Sequence, residues 1–296
     1  MDTIALYRPQ IRLLPDGRRL HLHDGPIDLI IEAFGADTQI AAAYRAARRR
    51  FIGLLDELCA ELPDLRRPVT TDAMPPSGPV ARRMFAAVVP FLTHGFITPM
   101  AAVAGSVADE ILVAMIEATG DRLERAYVNN GGDIALHLAP RTQFVAGLAD
   151  RPGRPGLFAK ATVRAGDDIG GIATSGARGR SFSLGIADAV TILARTSAQA
   201  DAAATVIANA VDLPGHPGIV RVAAAKLQPD SDLRDHPVTR SVPYLSEAEI
   251  DVALARGVAL AEAIKNEGRI AAAALHLQGR TRLVGPISIG HDASAA

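Results

Sequence analysis

The chain has 296 residues, 49% hydrophobic and 21% charged, enough to bury one large core or two that share an interface, and too apolar for wholesale disorder. Thirty-one basic residues against 32 acidic ones leave a formal charge of -1, so no net field holds a nucleic acid or an anionic membrane. Aromatics are 4%, with no Trp, which leaves few platforms for stacking bases and argues against a nucleic-acid partner.

The opening "MDTIALYRPQIRLLPDGRR" has no continuous apolar run followed by small residues, so no signal peptide is expected. No stretch reaches the roughly 18 uncharged apolar residues of a membrane span. Both point to a cytoplasmic protein without membrane insertion. "IRLL" and "RRLHLH" flank the turn "PDG", and "IDLIIEAF" follows "DGP"; these read as strands. His21 and His23, two apart on a strand, share a face, where solvated strand-edge histidines are the simpler reading and a metal the other. From Asp37 the period changes. Ile40, Tyr44, Ala47, Phe51, Leu54, Leu55, Leu58 and Leu62 form the stripe of a helix capped by Asp37 or Thr38 and stopped by Pro63. Cys59, the single cysteine, falls in that repeat and is expected to be a small buried thiol. "RAARRR", 45 to 50, is most simply the wet face of the same helix, with a phosphate site as the other reading.

The Pro-rich connection across 66 to 79 leads to helices over 79 to 92 and about 100 to 119, which "THGFITP" joins. It either joins parts of a single domain over 1 to 296 or separates two lobes. Strands follow over 126 to 193: "AYVNN", "DIALHL", "QFVAGLA", "LFAKATVR", "GGIATSG" and "DAVTILA". Thr196 and Gln199 announce the helix "TSAQADAAATVIANAVD" by capping-box spacing, and Ser246 with Glu249 does so for "SEAEIDVALARGVALAEAIKNEG". The charged stretch 212 to 243 reads as loop, and "IAAAALHLQGRTRLVGPI" as a hairpin. Blocks of strands with helices between them predict an α+β fold with an antiparallel sheet packed by helices.

Three places hold residues suited to chemistry. Asp201 and Thr205 lie four apart on one helix face among alanines, a carboxylate and a hydroxyl fit for Mg²⁺ or a mere dipole partner beside filler. "NNGGDI" sets two glycines and Asp133 at the mouth of a strand, either as a hairpin turn or as room for a ligand. "GGIATSGARGR" offers backbone amides, two hydroxyls and the guanidiniums of Arg178 and Arg180, which suit an anion or simply a bulged strand and an exposed turn. Gly105 and Asp109, four apart in "AAVAGSVADE", fit tight helix packing as well as ligand approach. Such small-residue helices can pack within one chain or across a homodimer.

The order of "VAGSVAD" (103 to 109), "NNGGDI" (129 to 134), "TSG" (174 to 176) and "ADAAAT" (200 to 205) resembles the ApbE superfamily of flavin transferases, and more closely its short cytoplasmic branch. The motif-bearing part runs from 98 to 211. The resemblance implies a T-fold-like domain that uses Mg²⁺, takes FAD as substrate or ligand, and passes FMN to an acceptor protein or to water. It places Asp201, Thr205 and the Val103 backbone carbonyl on the metal. It places Asn129, Gly131, Gly132 and Asp133 along the flavin nucleotide, and Thr174, Ser175 and Gly176 near its phosphates. The family Lys is Ala104 here, the aromatic after its glycine is Ser106, and the His-x-x-Asp-Pro segment is replaced by "RSFSLGIAD". Arg178 and Arg180 are candidate phosphate ligands in place of that Lys. Asp188 is either a proton acceptor or a turn residue at the start of a strand. An enzyme acting on the FAD pyrophosphate, a non-catalytic carrier or assembly factor for a flavin or other small anion, and an enzyme for another phosphorylated substrate all remain open at this point.

Overall fold

The computed structural model describes residues 8–120, 122–149, 157–179 and 181–287. In chain order they form β1 (Gln10–Leu13), β2 (Leu20–Asp24), β3 (Ile27–Phe34), α1 (Asp37–Phe51), α2 (Leu54–Ala60), α3 (Leu62–Leu65) and α4 (Pro79–Val88). Two 3₁₀ turns, Val89–His94 and Pro99–Ala102, lead into α5 (Val103–Thr119). Then come β4 (Arg125–Asn130), β5 (Asp133–Leu138), β6 (Gln143–Ala149), β7 (Leu157–Arg164), β8 (Gly171–Ser175), β9 (Ala189–Ala194) and α6 (Ser197–Ala210). The chain closes with β10 (Val220–Ala223), α7 (Ala224–Leu227), β11 (Pro237–Ser241), α8 (Glu247–Asn266), β12 (Ala272–Leu277) and β13 (Arg280–Val284).

Nine strands make one antiparallel sheet in the order β1-β2-β3-β4-β5-β8-β9-β12-β13. The predicted α+β class and its antiparallel sheet are present. Helices cover one face. Leu22, Leu29, Ile31 and Val128 pack there beneath α1, α4 and α5, through Phe51, Met84, Ile111 and Met115. Farther along the same face Val190, Ile192, Leu275 and Leu277 pack with α6 and α8, through Ile207, Leu254 and Ile264. The β6–β7 ribbon lies on the other face, closing Ala161 and Val163 over Ile172, Leu193 and Ala272. Among the described residues the two halves of the sheet are joined by two ladder pairs, Ile134 with Ile172 and Ala135 with Gly171, and by the Leu136 amide donating to the Gly170 carbonyl. Pro99–Thr119 is long and apolar enough to cross a membrane by composition alone, and the fold buries more than half of its most apolar window.

Several local expectations change. The long helix from Asp37 breaks at Gly53, whose φ of 84° ends α1 and starts α2 anew. Neither Asp37 nor Thr38 caps α1; Ala36 stands at the cap position without a side-chain bond, and Asp37 serves the first turn as an anion. Pro63 opens α3 rather than stopping a helix, as a residue lacking an N–H is tolerated in a first turn. Cys59 is exposed, not buried. With Leu54 and Leu58 turned inward, the next residue sits about 100° farther round the helix and faces solvent. The stretch 212 to 243 holds the β10–β11 ribbon, whose strands are too short and too broken by charge to show a clear period. The α6 and α8 caps form as expected: Thr196 accepts from the Gln199 amide, and Ser246 with Glu249 closes a full capping box.

Candidate functional site

The site begins with how α6 is seated. Its first amides, those of Ser197 and Ala198, donate to the two oxygens of Asp109 on α5 at 3.0 and 2.9 Å. These are two of the four donors a helix start leaves without intrahelical partners. Burial pushes the Asp109 carboxyl up to about 6, against the pull of those amides. A Cβ on Gly105 would lie 2.3 Å from the Ser197 carbonyl oxygen, and one on Gly171 would lie 2.2 Å from the Ser197 nitrogen. Both distances are impossible for a real side chain, so α6 is gripped between α5 and β8 by two glycines. Helix packing therefore accounts for Gly105.

One turn into α6, Asp201 Oδ2 accepts from the Gly105 amide at 3.0 Å. Burial raises its carboxyl well above the usual carboxylate range, and the Asp133 carboxylate across from it adds to that rise, while the Gly105 and Ala104 amides oppose it. Asp133 arrives from the β4–β5 hairpin. Asn130 and Asp133 are the last pair of that ladder, so Gly131 and Gly132 form a two-residue loop at φ 66° and 117°, and Asn129 Oδ1 closes it by accepting from the Gly132 amide at 2.8 Å. A Cβ on Gly132 would meet nothing within 4 Å; within the chain, glycine is needed there for its backbone angle, and the space above it is open. Asp133 Oδ1 in turn accepts from the Thr174 amide at 3.3 Å. Asn130, which the motif comparison left unassigned, is buried and donates to the Ala104 carbonyl at 3.1 Å, tying the hairpin to the first turn of α5. Its signal in the sequence was only that it adjoins Asn129.

The hairpin, the end of β8, α6 and the first turn of α5 thus converge where the two halves of the sheet are joined. Thr205 is half-buried one turn beyond Asp201 on the same face of α6, and Val103, also half-buried, is the first residue of α5. Ser175 is in register with Gly171 on the helix side of β8, whereas the Thr174 hydroxyl points to the opposite face and meets Thr191 Oγ1 at 2.8 Å. Of that pair, the Thr174 amide and the Ser175 side chain belong to the site. A Cβ on Gly176 would lie 2.5 Å from the Asp188 carbonyl oxygen, so this glycine allows β8 to close on the start of β9.

Asp188 and Arg178 sit beyond that bend. Arg178 Nε is 2.6 Å from Asp188 Oδ1, and the Gln278 amide donates to Asp188 Oδ2 at 2.7 Å. Both oxygens of this buried carboxylate are engaged within the chain. Arg180 lies outside the described residues. A hollow of about 610 Å³ opens here, lined by Arg178, Asp188, Tyr244, Leu245, His276 and Gln278 among others. A second of about 500 Å³ lies between α1 and α5, against Arg49, Arg50 and Glu117. Asp133 and Asp201 line neither.

Among the described residues no three His, Cys, Asp or Glu side chains gather as a metal group. His21 is held in a row of hydrogen bonds, receiving from Arg12 Nε at 3.1 Å and meeting Asp28 Oδ1 at 2.5 Å. A cation at the seam would rest on two carboxylates, the Thr205 hydroxyl and backbone oxygen. That set of hard donors suits Mg²⁺, which keeps most of its shell for water and phosphate, and it includes none of the His or Cys ligands that zinc usually takes.

A family profile described as "AbpE bacteria" matches residues 11–283. The chain belongs to this bacterial AbpE family. Among the curated relatives of this AbpE protein, a UPF0280 protein of Methanothrix thermoacetophila is 36% identical over 142 residues, covering 45% of this chain and 52% of the relative. A UPF0280 protein of Methanocaldococcus jannaschii is 41% identical over 117 residues, covering 38% and 44%. The chain spans about half the length of the curated relatives it matches. A solved ApbE protein from Thermotoga maritima is similar at 14% identity and a TM-score of 0.36, covering 70% of this chain and 88% of that one. The ApbE-like kinship read from the ordered motifs is borne out at the level of the family.

Proposed function

We propose that this AbpE-family protein binds FAD together with Mg²⁺ and cleaves the FAD pyrophosphate, the FMN phosphorus taking the oxygen of water or of an acceptor protein's Ser or Thr hydroxyl while AMP leaves. The observation that carries this reading is the convergence of Asp133 and Asp201 at the seam of the sheet, where burial and mutual repulsion oppose ionisation of Asp201. A divalent cation turns that unfavourable pairing into a binding site. Asp201, Asp133 and Thr205 would hold it, with a backbone carbonyl at the start of α5. Bound there, Mg²⁺ supplies neutralisation of charge at phosphorus.

The chain's own groups do the rest. The Gly105 amide keeps one Asp201 oxygen turned to α5. The open space over Gly132 admits the nucleotide, and the Ser175 hydroxyl and nearby amides face its phosphates. FAD with Mg²⁺ is expected to yield FMN or a flavinylated acceptor, and Asp201→Asn to abolish both. If neither product forms and no nucleotide is retained, the proposal fails.

A second reading, retention of a flavin nucleotide without turnover, is favoured by one observation. Ala104 replaces the family Lys, and the Arg178 guanidinium, a candidate substitute, is already paired with Asp188. Tight binding of FAD that stays intact for hours with Mg²⁺ would select it.

A further inference from the structure

The hollow at the end of the sheet is prepared by an ion pair and a set of hydrogen bonds that the seam site does not use. Asp188 is its centre: one oxygen holds Arg178 Nε at 2.6 Å and the other holds the Gln278 amide at 2.7 Å. Gln278 takes φ 43° as the first residue of the two-residue turn between β12 and β13, with Gly279 at φ 84°. From there its side chain grips the facing segment at both ends. Its Oε1 accepts from the Leu245 amide at 3.0 Å and its Nε2 donates to the Pro243 carbonyl at 2.7 Å.

The residue between those two anchors is Tyr244, whose ring is fully exposed although the backbone on either side is pinned. Val242, Leu245 and Ile250 supply an apolar wall to the same hollow. Arg178 is oriented through Nε alone, and its two terminal nitrogens have no partner among the described residues. A guanidinium fixed at Nε presents its terminal nitrogens as a fork, the geometry that takes a carboxylate or phosphate through two parallel bonds. Volumes of a few hundred Å³ suit small organic ligands.

We infer that this hollow is a binding site for a small aromatic molecule bearing a carboxylate or phosphate, the anion on the Arg178 fork and the ring against Tyr244. The site is separate from the cation pocket and does not depend on it. Asp188 acts here as a positioning residue, aiming the guanidinium and, through Gln278, the aromatic wall.

The test uses phenyl phosphate and benzoate as probes, with benzyl alcohol as the uncharged control, followed by chemical-shift titration of the full chain in EDTA. Either anion is expected to shift amides at 176 to 179, 242 to 245 and 278 to 279, and the control to bind at least tenfold more weakly. Arg178→Gln should weaken the anions about tenfold or more and leave the control unchanged. Tyr244→Ala alters a fully exposed ring and cannot threaten folding, and should weaken both anions severalfold. Asp201→Asn should leave all three affinities as they are. Absence of saturable binding, equal binding of the control, shifts confined to the seam, or anion affinity indifferent to both Arg178→Gln and Tyr244→Ala would overturn the inference. Because EDTA and Asp201→Asn remove any divalent-cation contribution, failure here is distinct from failure of the FAD reading.

Discussion

Asp201 on α6 and Asp188 at the entry to β9 are both carboxylates, and their surroundings are opposite. Asp188 meets a guanidinium on one oxygen and a backbone amide on the other, so its charge is answered within the chain. Asp201 also receives an amide, but beside it stand burial and a second carboxylate, Asp133, and together they disfavour its ionised form. The first arrangement builds structure; in the second, burial and repulsion work against the charge of Asp201. That difference is why the seam, and not the sheet end, is where we place the cation.

The contrast can be broken most sharply by removing each carboxylate in turn. Asp201→Asn keeps an acceptor for the Gly105 amide and deletes the unfavourable charge. Mg²⁺-dependent nucleotide affinity should fall about a hundredfold, roughly 2.7 kcal/mol, while the thermal midpoint without metal stays level or rises. Asp188→Ala should do the reverse: it strands Arg178 and the Gln278 amide, and unfolding in urea should show a loss of about 2 kcal/mol, reduced from the fully buried case because Arg178 is a third exposed.

Asp109 sharpens the comparison as a buried carboxylate with a structural task. An Asn there can accept only one of the two α6 amides, so Asp109→Asn should cost about 1–2 kcal/mol in the same unfolding measurement. In the fold its carboxyl sits near 6 rather than at the ordinary 3.8, so between those values the folded protein binds more protons than the unfolded chain. The stability it contributes is greatest below that window and declines as pH rises through it; Asp109→Asn should flatten this slope. Smallest in effect is Gly132→Ala, where a side chain meets no atom yet must adopt φ 117°, with a loss of about 1 kcal/mol expected.

Much of this was legible in the sequence where a short stretch decides its own structure. The Ser246–Glu249 box, the Thr196 cap, the final hairpin and the strands from Arg125 to Ala194 are local patterns, and they form as read. Asp201 and Asp133 could each be singled out from their motifs, but their approach depends on how β5 meets β8, a pairing of two residues on each strand that no periodicity announces. The Thr174 hydroxyl shows a related limit: alternation tells which residues share a face, and only the assembled sheet tells which face the helices cover. Cys59 was misread because it follows Leu58 by one residue, about 100° round the helix from the buried Leu54–Leu58 stripe. Gln278 could not be singled out, since its contacts with Asp188, Pro243 and Leu245 are distant in the chain.

The most direct test of the central claim is a Mg²⁺ titration of thermal stability on the wild type, Asp133→Asn and Asp201→Asn. A saturable rise in the midpoint for the wild type, absent from both variants, is the result expected of a cation held between the two carboxylates. No rise in the wild type, or the same rise in all three proteins, would contradict it.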